Sequence, residues 1–170
     1  MKEKSLVIYF SHVGENYMED GIRPISKGNT EIIAEMIQQL THADLFQVEA
    51  LEDYPFNYKK CTEVALEEKN NGCRPKLKKY LSSIEEYDII YIGYPNWWGT
   101  MPMPIFSLLE QLDFNGKIIM PFCTHEGSGM GSSLSDLKKI CINARIENGL
   151  AIRGSCVSSA KGKVEEWIKQ

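Results

Sequence analysis

Residues 88–93, Asp-Ile-Ile-Tyr-Ile-Gly, constrain the fold more than any other stretch of this chain. The run is rich in β-branched residues and shows no apolar–polar alternation, so it reads as a strand buried on both faces. Ser5 to Phe10 and Lys117 to Cys123 are runs of the same kind, the latter carrying Pro121, which is expected at a bulge or a strand end because proline gives the ladder no N–H. Ala43 to Glu49 alternates and reads as a less buried edge strand, and a last strand is expected within Arg145 to Arg153.

Helical periods separate these strands. Ile32, Ile33, Met36, Ile37 and Leu40 share one face of a helix capped by Asn29 or Thr30. An extra segment, 51–72, holds a short amphipathic helix around Cys61, Val64, Ala65 and Glu68. Pro75 starts another helix with Leu77, Leu81 and Ile84 inward. Further helices are expected over 104–112 and 132–141, and a last one, packing Val164, Trp167 and Ile168, is capped by Ser158 or Ser159. This alternation predicts an α/β fold, a five-stranded parallel sheet with helices on both faces. No repeat, linker or low-complexity tract divides residues 1–170, so one domain is expected.

Three loops carry the chemistry. Ser11 closes the first strand, and Gly28-Asn29-Thr30 opens the helix whose free N–H groups and dipole make an anion site. Between them, residues 12–27 form an insertion longer than an ordinary βα connection; with three glycines and one proline over 12–28 and no sustained period it reads as loop, and Asn16 and Tyr17 suggest a flap beside a ligand. Pro95 to Gly99, Pro-Asn-Trp-Trp-Gly, follows the second buried strand. Its two tryptophans either plug the rim of the core or cover a flat ligand. Thr124 to Gly129, Thr-His-Glu-Gly-Ser-Gly, follows the third and offers backbone donors. In an open α/β sheet, loops at the carboxyl ends of the strands converge on one crevice. A phosphorylated flat heterocycle suits all three.

A net charge of −4 disfavours nucleic acid and anionic membrane as partners. No basic leader with an apolar core opens the sequence, and no apolar run approaches a membrane span, so the chain is expected in the cytoplasm. Five cysteines without a Cys-x-x-Cys pair, and three scattered histidines, give neither a disulfide framework nor a metal site. The cysteines read as small core residues, and His125 as a polar rim residue or a proton donor near the ligand.

Tyr9-Phe10-Ser11 joined to Gly28-Asn29-Thr30 resembles the phosphate loop of the flavodoxin family, interrupted by the insertion. Gly93 to Pro102 and Thr124 to Gly129 are similar to the two ring loops of flavodoxin-like proteins, which include FMN-dependent NAD(P)H:quinone oxidoreductases. The resemblance covers nearly the whole chain. It implies a flavodoxin-like three-layer sandwich with strand order 2-1-3-4-5 and tightly, non-covalently bound FMN. By position, Ser11, Gly28, Asn29 and Thr30 hold the phosphate, with His12 beside them; Pro95, Asn96, Trp97, Trp98 and Gly99 meet the isoalloxazine, Trp98 stacking on it; Thr124, His125, Glu126, Gly127 and Gly129 form the loop at its pyrimidine edge. The function implied is a flavodoxin, an electron carrier cycling between oxidised, semiquinone and hydroquinone flavin and serving redox partner proteins or a small electron acceptor. A peptide flip at Gly99 is expected to accompany reduction. The alternatives are an FMN-dependent NAD(P)H:quinone-type oxidoreductase and a binding module without flavin.

Overall fold

The computed structural model describes residues 3–170. Strand β1 (Ser5–Tyr9) lies between β4 (Asp44–Gln47) and β5 (Ile89–Pro95), and β6 (Ile118–His125) pairs with the far side of β5, every pairing being parallel. Two short strands share the position beyond β6. β7 (Arg145–Ile146) pairs with Ile118 and Ile119, and β8 (Leu150–Arg153) with Phe122 to His125. In chain order the sheet positions run 2-1-3-4-5, with the fifth split in two. Pro121 falls in the interval between the two pairings, where β6 has no edge partner to receive an N–H.

Side-chain alternation along each central strand feeds two cores. Leu6 and Ile8 of β1, with Ile90, Ile92 and Tyr94 of β5, face the layer formed by α3 (Met103–Leu109), α4 (Ser133–Ile140) and the segment 77–87. Val7, Tyr9 and Tyr91 face α1 (Asn29–Thr41) and α5 (Lys161–Ile168), meeting Ile33, Ile37, Val164 and Trp167. Both faces are therefore apolar and covered, as the unbroken strand runs require. Gly93 is fixed by packing rather than by a turn: a Cβ there would lie 2.0 Å from Cζ of Phe122 on the neighbouring strand.

Several local expectations change. The insertion is not plain loop. It is an antiparallel hairpin, β2 (Gly14–Met18) and β3 (Gly21–Ile25), with Tyr17 opposite Ile22. Only Gly14 and Met18 of the hairpin are buried, both on β2, so neither strand shows the apolar–polar alternation by which strands are usually recognised, though Asp20-Gly21 is a turn signal. The helix expected from Pro75 is absent. Leu77 and Ile84 are buried as read, but the backbone there hydrogen-bonds to residues 49–51: Leu51 N–H donates to the Lys76 carbonyl and Lys78 N–H to the Glu49 carbonyl. The extra helix α2 spans Tyr58–Asn70, with Asn57 Oδ1 accepting from Lys60 N–H at 3.1 Å as its cap. Residues 154–159 form a 3₁₀ turn and α5 starts only at Lys161, so neither Ser158 nor Ser159 caps it. The cap residue of α1 is Gly28, not Asn29 or Thr30; the capping acceptor is Ser11 Oγ, reached by Glu31 N–H at 3.1 Å.

Candidate functional site

The carboxyl ends of β1, β5 and β6 open into a cleft of about 580 Å³. The three loops named from the sequence meet there, and direct bonds hold them together. Thr30 Oγ1 and Thr124 Oγ1 are 2.8 Å apart and buried, joining the first loop to the third. Asn96 joins the second to the third: its N–H donates to the Thr124 carbonyl at 2.9 Å and its Nδ2 to the Gly129 carbonyl at 2.8 Å.

In the first loop, extended backbone at Gly28 (φ −67°, ψ 149°) brings the chain against Ser11 so closely that a Cβ would lie 1.9 Å from Ser11 Oγ. The two residues form the floor under the start of α1, with Asn29 and Thr30 at the cleft surface. Asn29 Nδ2 also donates to Met18 Sδ of the hairpin at 3.6 Å. The hairpin is pinned at both ends of the cleft. Glu15 Oε2 accepts from Asn57 Nδ2 at 3.1 Å and from Tyr58 N–H at 2.8 Å, while Glu19 N–H donates to Ser155 Oγ at 2.8 Å.

The two tryptophans of the second loop part company. Trp97 turns inward, edge-on to Phe10 at 5.1 Å, Tyr54 at 4.9 Å and His12 at 5.8 Å, and thus belongs in part to the rim of the core. Trp98 has a left-handed backbone (φ 55°), a conformation that costs a non-glycine residue about 1–2 kcal/mol. Its Nε1 donates to the Thr62 carbonyl of α2 at 2.9 Å, and the residue is 48% exposed. Gly99 is tied on both sides: its N–H donates to Asn96 Oδ1 at 2.8 Å and its carbonyl accepts from Ser132 N–H at 2.7 Å.

In the third loop Gly127 N–H donates to His125 Nδ1 at 2.8 Å, so that backbone donor is already engaged by its neighbour. Burial pulls the His125 imidazole below its ordinary pKa, helped by the Arg153 guanidinium. Burial alone does the same to His12, which is therefore neutral at pH 7. Glu126 Oε1 accepts from both N–H and Oγ of Ser155, each at 2.6 Å.

Of the residues named from the sequence, His12, Asn29, Thr30, Pro95, Asn96, Trp97, Trp98, Gly99, Thr124, His125 and Glu126 line the cleft. Ser11, Gly28, Gly127 and Gly129 shape the backbone behind it. Sequence reasoning missed Glu15, the α2 residues Tyr58, Cys61, Thr62 and Ala65, and also Ser128 and Gly154. The α2 contributors follow no motif, and only the position of the helix across the cleft brings them in. Burial pushes the Cys61 thiol up to about 12, which leaves it without nucleophilic character at neutral pH. Among the described residues no group of three or more His, Cys, Asp or Glu could hold a metal ion, and no helix is long and apolar enough to cross a membrane.

The fold has known relatives. A structure from Bacteroides uniformis, described as a candidate flavoprotein, superposes with a TM-score of 0.75 at 26% identity over 100% of both chains. A flavoprotein from Lactobacillus acidophilus, crystallised in complex with FMN, gives 0.64 at 20% identity over 98% of this chain and 99% of its own. Oxidised flavodoxin 2 of Bacillus cereus gives 0.53 at 18% identity over 98% of each. No curated protein sequence matches. A family model described as Flavodoxin matches residues 24–170, the greater part of the chain. The protein belongs to the flavodoxin family.

Proposed function

We propose that this protein binds FMN in the cleft and transfers electrons between redox partners, either partner proteins or a small acceptor. The observation that carries the reading is the convergence of an anion-binding helix start, an aromatic loop and a polar loop on one cleft at the carboxyl ends of a parallel sheet. The residues fit such a ligand. The close approach at Gly28 leaves the backbone at the start of α1 bare for a phosphate, and two buried polar atoms in the cleft wall, His12 Nε2 and Glu126 Oε2, have no hydrogen-bond partner among the described residues.

In this reading the N–H groups at the start of α1 and the Ser11 hydroxyl bind the phosphate, whose charge the helix dipole favours. Trp97, held edge-on by Phe10 and Tyr54, and Trp98, held by Thr62, flank the ring and exclude water from it. Asn96 fixes the spacing between the two ring loops. FMN supplies the redox chemistry, and the protein supplies orientation and electrostatics. His12 and His125, both disposed to stay neutral, add no positive charge at pH 7.

A second reading, an FMN-dependent NAD(P)H oxidoreductase, is favoured by one feature. The cleft continues past the strand ends between the hairpin and α2, where Tyr17, Tyr58 and Trp98 line it. One experiment separates the readings. Purified protein, loaded with FMN, is followed by visible absorption through stepwise reduction and then with NADH or NADPH alone. A carrier is reduced by dithionite or light but not by the nicotinamide nucleotides; sustained nucleotide oxidation with an added quinone supports the second reading. A protein that takes up no FMN defeats both.

A further inference from the structure

Among the described residues only His12 Nε2 and Glu126 Oε2 are buried side-chain polar atoms without a hydrogen-bond partner, and both side chains line the cleft. Glu126 is the more demanding of the two. Its side chain is 10% exposed, and an ionised carboxylate can only accept. Oε1 is satisfied by the two donors of Ser155, so the side chain is held in one orientation, and Ser155 Oγ is itself fixed by the hairpin through Glu19 N–H. Oε2 has Arg153 Nη1 at 3.9 Å, beyond hydrogen-bond reach. A buried carboxylate oxygen without a hydrogen-bond donor is costly, so this oxygen calls for a donor from outside the chain.

Its location narrows the donor. Glu126 belongs to the third loop yet adjoins the start of α1. A Cβ on Gly154 would lie 2.4 Å from Asn29 Nδ2 and 3.2 Å from Glu126 Oε1, so the three residues meet at one point. Glu126 thus lines the cleft where the third loop adjoins the start of α1, the junction that a linker between a phosphate at the helix start and a flat ring at the ring loops has to pass. In FMN that linker is ribityl, a chain of hydroxyl donors. We infer that Glu126 Oε2 accepts a hydrogen bond from a ribityl hydroxyl, with Ser155 as its positioning residue, and that the cleft selects flavins carrying this polyol over bare isoalloxazines. The inference rests on the FMN reading above.

The test uses the full chain stripped of flavin, titrated with FMN, riboflavin and lumiflavin, which lacks the polyol, by quenching of flavin fluorescence. Glu126→Gln keeps an acceptor for Ser155 but removes the charge-assisted bond, and is expected to weaken FMN and riboflavin by about tenfold while leaving lumiflavin unchanged. Ser155→Ala is expected to give a smaller loss with the same pattern, which keeps the test open if the first variant fails to fold. Equal losses for all three flavins would place the carboxylate at the ring and overturn the inference. So would tighter FMN binding with riboflavin unchanged, which would place it against the phosphate, and so would unchanged affinity for every ligand. If the wild-type protein binds none of the three, it is the FMN reading that fails.

Discussion

Single residues in this protein do work their sequence neighbours do not reveal. Ser11 caps a helix from twenty positions upstream, and Gly28 makes room for it. Gly28→Ala would drive a methyl into Ser11 Oγ, and a loss of about 1–3 kcal/mol is expected in urea unfolding, together with weaker FMN binding because the helix start must move. Gly93→Ala meets the Phe122 ring at 2.0 Å and should cost a similar amount without acting on the phosphate end. His12 gives a pH signature. Its folded pKa lies below the unfolded value of 6.5, so the unfolded chain takes up the proton first as pH falls, and the native state loses stability from about pH 7 downwards. His125 is shifted the same way. Thermal midpoints measured between pH 7.5 and 5 should therefore fall less steeply in His12→Gln than in wild type; parallel curves would show that His12 titrates normally.

At the scale of elements, the insertion is tied to its neighbours near both ends of β2. Glu15 bonds to the start of α2 and Glu19 N–H to Ser155, so the hairpin bridges two elements that the sheet does not connect. Glu15→Ala should leave the sheet intact while amide exchange speeds up across 14–25, and unchanged exchange there would show that the Glu15 bonds do not hold the hairpin. The same elements show what the sequence could and could not disclose. The central strands were legible because burial on both faces leaves an unbroken apolar run, and the three loops because proline, glycine and tryptophan mark strand ends. The hairpin was not, since Glu15, Asn16 and Arg23 point to no core. Leu77, Leu81 and Ile84 have helical spacing, yet their segment spends its backbone bonds on residues 49–51, a choice that only tertiary contacts decide. Nothing in Tyr58, Cys61 or Ala65 announced that α2 would lie across the cleft.

For the whole molecule, the cleft joins segments far apart in sequence, so occupying it should tie the fold together. With ligand at a hundred times its dissociation constant, FMN is expected to raise stability by about 2.7 kcal/mol, read as a higher thermal midpoint that depends on FMN concentration. Thr30 and Thr124, bonded across the buried base of the cleft, should share that linkage: Thr124→Val is expected to lower both stability and FMN affinity, because Thr30 is left without its partner. The division of the outermost sheet position at Pro121 has a different bearing. The margin beyond β6 is two residues, a gap, then four, and the opposite margin, β4, is also four residues long. Neither flank presents a straight template on which a second molecule could lay down a matching strand, so fibril-type stacking of intact copies is disfavoured by the same proline that interrupts the edge pairing of β6.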